Sequence, residues 1–403
     1  MTRIALRTLT AVLLGAVLAT AAKPVPPTPD APAKPLPVDD PKKAAVALLD
    51  DHAERLIPYL TNDEDRNGRA AFAAVEEVDV FAGATALKVG PLQRFRAEVP
   101  GWSYPIRETP KAGEFRYIRF AWKKVGGTSI TMQIHTTEPT ADWRKMNYYA
   151  GAKYFDWNLV KVGETIPTEW TVVTRDLFKD FGPRTITGLA YTTTDGSHGL
   201  FDHVLLGRTV ADLDAKSDEL LGKTKPKDKL DGKVRDDAWA AFDGRDAEKA
   251  GPAIRAFLAT APDQVGFVRE RLSEADGLTP EQRKAQRKRI AELVLRLGDE
   301  DFDTRNAADG ELAKFGESAR WEIVDAMQSP DPEIAFRAKR LWLELRGADT
   351  RTALATIRAA RVCRVLERAA TADAKKLLGE MAAGDFGSFH AAAAKAALAR
   401  MGK

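Results

Sequence analysis

Apolar residues recur at every second position in one stretch of this chain and at every third or fourth in another. No single layer of secondary structure accommodates both periods. In Thr128–Thr136, Ile130, Met132 and Ile134 face one way, while Ser129, Thr131, Gln133 and His135 face the other, as in a half-buried strand. Glu114–Lys123 repeats the pattern with Ile118, Phe120 and Trp122. Farther on, Ile290, Leu293, Val294 and Leu297 mark one face of a helix. The 403 residues therefore predict a multidomain chain, β first and α second. The aromatics divide the same way, since 20 of the 32 Phe, Trp and Tyr residues lie between 72 and 212.

Short strands are expected at Thr85–Val89, Trp170–Thr174, Thr185–Tyr191 and Leu200–Leu206, separated by Gly, Pro and Asp turns. Many short antiparallel strands with one polar and one apolar face predict a β-sandwich of the jelly-roll kind over residues 45–212. A leading helix is predicted from Lys43 to about Leu56, ended by Pro58. Residues 213–234, with GKTKPKDKLDGK, read as a charged linker, and 235–403 as helix throughout.

At the N-terminus, Arg3 and Arg7 precede the apolar run Leu9–Leu18, and Ala19-Thr20-Ala21 gives a small-x-small cleavage pattern. That combination predicts a signal peptide over residues 1–21 and export to the periplasm or cell surface. The apolar run is shorter than a membrane-spanning helix requires. Eight prolines between residues 23 and 41 predict an extended tether over residues 22–44. The single cysteine, Cys363, excludes an intrachain disulfide framework and every multi-cysteine zinc or iron–sulfur site. A formal net charge of +3 supplies no field that would recruit nucleic acid.

In the helical part, Ala307 and Leu312 are echoed 31 residues later by Ala338 and Leu343, each pair after an acidic turn. A unit repeated every thirty-odd residues predicts an α-solenoid of helical hairpins with one continuous core. With FLATAPDQVGFVRERL, SPDPEIAFRAKRLWLEL and the closing TADAKKLLGEMAAGD, this part resembles the HEAT-like repeat modules of exported bacterial proteins. The resemblance implies a scaffold that holds a protein partner. The β part, with its Trp-rich strands and the ending GLFDHVLLGR, is similar to galactose-binding or carbohydrate-binding jelly rolls. That likeness implies a carbohydrate ligand and, at the Asp of the last strand, Asp202, a ligand to structural calcium.

The residues offer their own candidates. Asp195, His198, Asp202 and His203 are the densest cluster of metal-ligand types. Asp195 and Asp202 suit a hard cation such as calcium, and a β-turn followed by an edge strand suits the same residues without a metal. Strict alternation puts Leu200, Asp202 and Val204 on one face and His203 on the other. Trp143, Tyr148, Tyr149 and Trp157 crowd one stretch, where their rings could stack on sugar faces while Gln133 and His135 bond hydroxyls. The same rings could instead fill the gap between two sheets. Arg283, Lys284, Arg287, Lys288 and Arg289 form a basic helical face, expected to be solvated or to dock an acidic partner. Cys363, among Val362 and Val365, reads as a core thiol.

No G-x-S-x-G, H-E-x-x-H, P-loop or G-x-G-x-x-G sequence occurs. The expected function is a secreted, non-catalytic binding protein, its jelly roll recognising a glycan or surface ligand and its helical repeats a protein partner. A purely structural envelope scaffold and a carbohydrate-active enzyme built on two β-domain carboxylates stand as alternatives.

Overall fold

The computed structural model describes residues 36–402 except 37–39, 41, 63–71, 137–145, 154–159, 226–228, 275–276, 346–348 and 387. The predicted signal peptide, nearly all of the tether, Trp143 and Trp157 lie outside the described residues.

Strands built on the period-two segments form two facing sheets. The first contains β1 (Ala45–Leu49), β3 (Ala73–Glu76), β4 (Ala86–Val89), β7 (Tyr117–Val125), β11 (Thr171–Asp176) and β14 (His198–Gly207). Its order is β11-β7-β14-β4-β3, with β1 also paired to β14. The second contains β2 (Thr61–Asn62), β5 (Gln93–Arg96), β8 (Ser129–His135), β9 (Asn147–Gly151), β10 (Val160–Gly163) and β13 (Gly188–Thr192), in the order β10-β9-β8-β13-β5-β2. A small third sheet pairs β6 (Tyr104–Ile106) with β12 (Arg184–Ile186). Ile130, Met132, Ile134, Phe120, Trp122 and Tyr191 meet in the core between the large sheets.

The leading helix predicted from Lys43 to about Leu56 is in its first half a strand. Ala45–Leu49 pairs antiparallel with β14, and only α1 (Ala53–Leu56) is α-helical there. Ala and Leu of the AVALL run favour helix and Val46 favours strand, and burial on both sides of the segment settles it as a strand. Strict alternation also fails in β14, where the ladder to β7 slips between Asp202 and Leu205 and His203 takes φ 56°. This bulge shifts the phase, so Phe201, Val204 and Leu206 face the inter-sheet core. Leu205 instead packs with Leu213 and Leu220 of α3 (Val210–Leu220), a helix that occupies the start of the predicted linker.

The short α2 (Leu177–Phe181) follows β11. Beyond α3 the chain is helical: α4 (Gly232–Phe242), α5 (Ala247–Ala259), α6 (Ala261–Glu274), α7 (Pro280–Arg296), α8 (Phe302–Phe315), α9 (Arg320–Ala326), α10 (Pro332–Leu345), α11 (Asp349–Ala369), α12 (Ala372–Ala382) and α13 (Ser388–Met401). The expected continuous core is two cores. Phe242, Phe257, Phe267, Val362, Leu366 and Met381 join α4, α5, α6, α11 and α12. Ile290, Leu293, Leu312, Ile323 and Leu341 join α7 to α10. The repeat register is shifted as well: Ala307 and Leu343 are exposed, and the inward pairs are Ala308 with Leu312 and Ala338 with Leu341.

Sandwich and helices pack directly against each other, and Ala84 belongs to the first helical core. Asp51 is the wedge between them. Its Oδ1 accepts the Ala84 N–H, and its Oδ2 accepts Arg255 Nη1 of α5 at 2.7 Å. A Cβ on Gly83 would meet Asp51 Oδ1 at 2.1 Å, and one on Gly251 would meet Oδ2 at 1.8 Å, so both positions need glycine. Arg245 bonds Glu77 at 2.6 Å, Arg55 pairs with Glu248, and Arg364 Nη2 donates to the Gly83 carbonyl at 2.8 Å.

Candidate functional site

The second sheet turns its other face away from the inter-sheet core. Register places Gln93 and Phe95 of β5, Ala190 and Thr192 of β13, Thr131, Gln133 and His135 of β8, and Asn147 and Tyr149 of β9 side by side on it. The floor is polar yet shut from solvent: Gln133 and Asn147 are 0% exposed, Thr131 2%, His135 5% and Tyr149 8%. Gln93 Nε2 donates to Gln133 Oε1 at 3.1 Å and to Thr192 Oγ1 at 2.9 Å, which fixes both amides. Phe95 stacks on the His135 ring at 6.1 Å with 17° between planes. Burial pushes the His135 imidazole down to about 4, so this floor is neutral at physiological pH. Among the described residues, the Ser129 and Thr131 hydroxyls are buried without a hydrogen-bond partner.

The predicted ligand residues divide on this geometry. Gln133, His135 and Tyr149 come together, whereas Tyr148 points the opposite way into the core. Tyr148 packs on Phe120 and Phe181, and its hydroxyl donates to Asp180 at 2.9 Å. A sugar platform that includes Tyr148 is therefore ruled out by the pleat, since adjacent residues of a strand face opposite sides. Gln93, Phe95 and Asn147 were not singled out from sequence; they complete the floor only through strand register.

The two metal candidates serve separate hydrogen-bond sets. Asp195 closes a turn by accepting the Thr128 N–H and hydroxyl, each at 2.8 Å. Against a burial penalty, those bonds hold its carboxyl below the usual range. Asp202 is 0% exposed and accepts the N–H groups of Phe81 at 3.0 Å, Ala82 at 2.9 Å and His203 at 2.7 Å. Burial, then the nearby Asp50 charge, push its carboxyl well up. His203 Nε2 pairs with Ser217 Oγ at 2.8 Å, which ties the bulge to α3. Among the described residues no three His, Cys, Asp or Glu side chains gather as a metal site would need.

The basic face of α7 is only partly solvated. Arg283 is buried and donates to the Ser273 carbonyl, Arg287 pairs with Asp385 at 2.5 Å, and Arg289 pairs with Glu311 at 2.7 Å. Lys284 and Lys288 are exposed. Cys363 is a core thiol, raised to about 12 by burial. No helix among the described residues is long and apolar enough to cross a membrane.

No family model and no curated protein matches the chain. Among solved structures, it is similar to the family 11 carbohydrate-binding module of Clostridium thermocellum, in complex with a β-1,3-1,4-mixed-linked tetrasaccharide. Identity there is 11% and the TM-score 0.23, over 37% of this chain and 88% of that one. It is similar also to the family 30 carbohydrate-binding module of a Clostridium thermocellum cellulosomal cellulase, at 12% identity and a TM-score of 0.24, over 37% and 90%. Scores of this size carry no weight for function, and the site stands on its own residues.

Proposed function

We propose that this chain is an exported, non-catalytic binding protein whose sandwich takes a neutral glycan on the polar face of the second sheet. One observation supports the reading: a face closed to solvent carries amides, hydroxyls and aromatic rings where a core would carry aliphatics. Buried polar groups are costly unless bonded, and the Ser129 and Thr131 hydroxyls have no partner among the described residues. A sugar would offer hydroxyls to Ser129 and Thr131 and an apolar ring face to Phe95 and Tyr149. Trp143 and Trp157 are proposed to add rings to the same site. The helical repeats, in this reading, are HEAT-like and dock a protein partner.

A glycan array probed with the full chain, with and without calcium, followed by calorimetry, tests the sandwich site. Gln133→Ala and His135→Ala should each weaken the selected glycan about tenfold, roughly the 1.4 kcal/mol of one good hydrogen bond. Trp143→Ala and Trp157→Ala should do the same, and calcium dependence would implicate Asp195 or Asp202. A blank array from folded protein, or unchanged affinity in Gln133→Ala and His135→Ala, overturns the reading in favour of a structural scaffold.

A further inference from the structure

A cleft of about 630 Å³ opens where the sandwich meets α11 and α13, away from the polar face. Its sandwich wall is aromatic. Trp170 and Phe81, both half-buried, lie 5.9 Å apart between centroids. The Trp170 indole N–H donates to Asp79 Oδ1 at 2.8 Å, and Lys123 Nζ holds Asp79 Oδ2 at 2.8 Å. The indole is thus locked in place with its polar edge already used, leaving the ring for stacking.

The helical wall is cationic. Arg364 and Arg368 stand one turn apart on α11, and Arg400 reaches in from α13. Arg400 is neutralised by Glu367 at 2.7 Å, as Lys123 is by Asp79. Among the described residues, Arg364 and Arg368 bond backbone carbonyls, Gly83 at 2.8 Å and Leu221 at 3.3 Å, and no carboxylate there lies within salt-bridge distance of either. Arg364 Nε is buried with no hydrogen-bond partner. Asp51 and Asp202 act on this guanidinium through space, and neither bonds it directly. Burial, then Arg361, lower the Arg364 pKa to about 10, which still leaves the group charged at neutral pH.

The geometry points to a second binding site, for a saccharide carrying a single carboxylate per ring, a hexuronate, with its ring on Trp170 and its carboxylate on Arg364 and Arg368. The lining favours one negative charge over several. Four cationic side chains face Asp79, Glu169 and Glu367, so the surplus is one positive charge, and a phosphate-rich ligand would meet three carboxylates. Those carboxylates are acceptors for sugar hydroxyls, and guanidinium forks match a carboxylate two bonds at a time.

The test is calorimetric titration of the full chain with trigalacturonate and a glucuronate trisaccharide, each beside its fully methyl-esterified form. At least one acid should bind ten times or more tightly than its ester, with affinity falling as salt is added. Arg368→Gln, at an exposed position, should erase that preference by weakening the acid about tenfold. Trp170→Ala should weaken acid and ester together. Arg364→Lys keeps the charge and should lose part of the preference, since an ammonium lacks the fork. Acid and ester bound alike, no binding of either acid at millimolar concentration, or an unchanged preference in Arg368→Gln would each overturn the proposal. The cleft and the polar face share no residue, so none of these results decides the neutral-glycan reading.

Discussion

One face of the sandwich and the helical region bury polar groups of different kinds. The face of β8 and its neighbours buries neutral side chains, Gln133, Asn147, Thr131 and Thr192, whereas α7, α10 and α11 bury guanidinium groups, Arg283, Arg337 and Arg361. Reach explains the contrast. An arginine stem crosses from one helix to the next, and its fork closes on carbonyls near helix ends, as for Arg283 and Arg361, or on a carboxylate, as for Arg337 and Asp309. Arg361 Nη1 does this at the end of α4, donating to the Phe242 carbonyl at 2.5 Å and the Gly244 carbonyl at 2.7 Å. Sheet backbone is already paired within its ladder, so short amides on its face bond one another or whatever lies across them. Arg283, Arg337 and Arg361 are therefore structural, while the neutral face of the sheet is the one proposed to take a glycan.

The sharpest way to break this contrast is to remove a helical guanidinium. Arg361→Ala should cost about 3 kcal/mol in chemical denaturation, because two carbonyls lose their donor inside a packed core. Next, Gly251→Ala drives a methyl into Asp51 and should cost about 2 kcal/mol. Limited proteolysis between α3 and α4 should accelerate with it. Third is the pH dependence of Asp50, which burial and then the Asp51 charge raise from 3.8 to about 7. Folding then favours its protonated form, so its contribution is complete below pH about 4 and is lost as pH rises through about 7. Asp50→Asn should raise stability at pH 8 by about 1 kcal/mol or more and leave pH 4 nearly unchanged. His135 runs the other way, contributing above pH about 6.5 and losing that as pH falls through about 4. The smallest effect on stability, about 1 kcal/mol, is expected from Gln133→Ala, although its effect on glycan affinity is large.

Period alone located two strands of the sandwich. The alternation over Thr128–Thr136 became Ser129–His135, and Glu114–Lys123 became Tyr117–Val125. It failed where burial on both sides erases alternation, as in Ala45–Leu49, and where a bulge resets the phase, as at Asp202 and His203. Gln133 and His135 of the polar floor were legible because they belong to one alternating strand. Phe95 and Asn147 were not, because pairing across strands separated by tens of residues brings them in. The cleft was out of reach for the same reason, since Asp79, Lys123, Trp170, Arg364 and Arg400 belong to five separate segments.

The most direct test of the central claim is a crystal structure of the full chain soaked with the neutral oligosaccharide that the array selects. The account predicts a sugar ring between Phe95 and Tyr149, with its hydroxyls bonded to Gln133 and Thr131. Sugar bound only elsewhere on the molecule, with the Gln93–Gln133–Thr192 network unchanged, would contradict it.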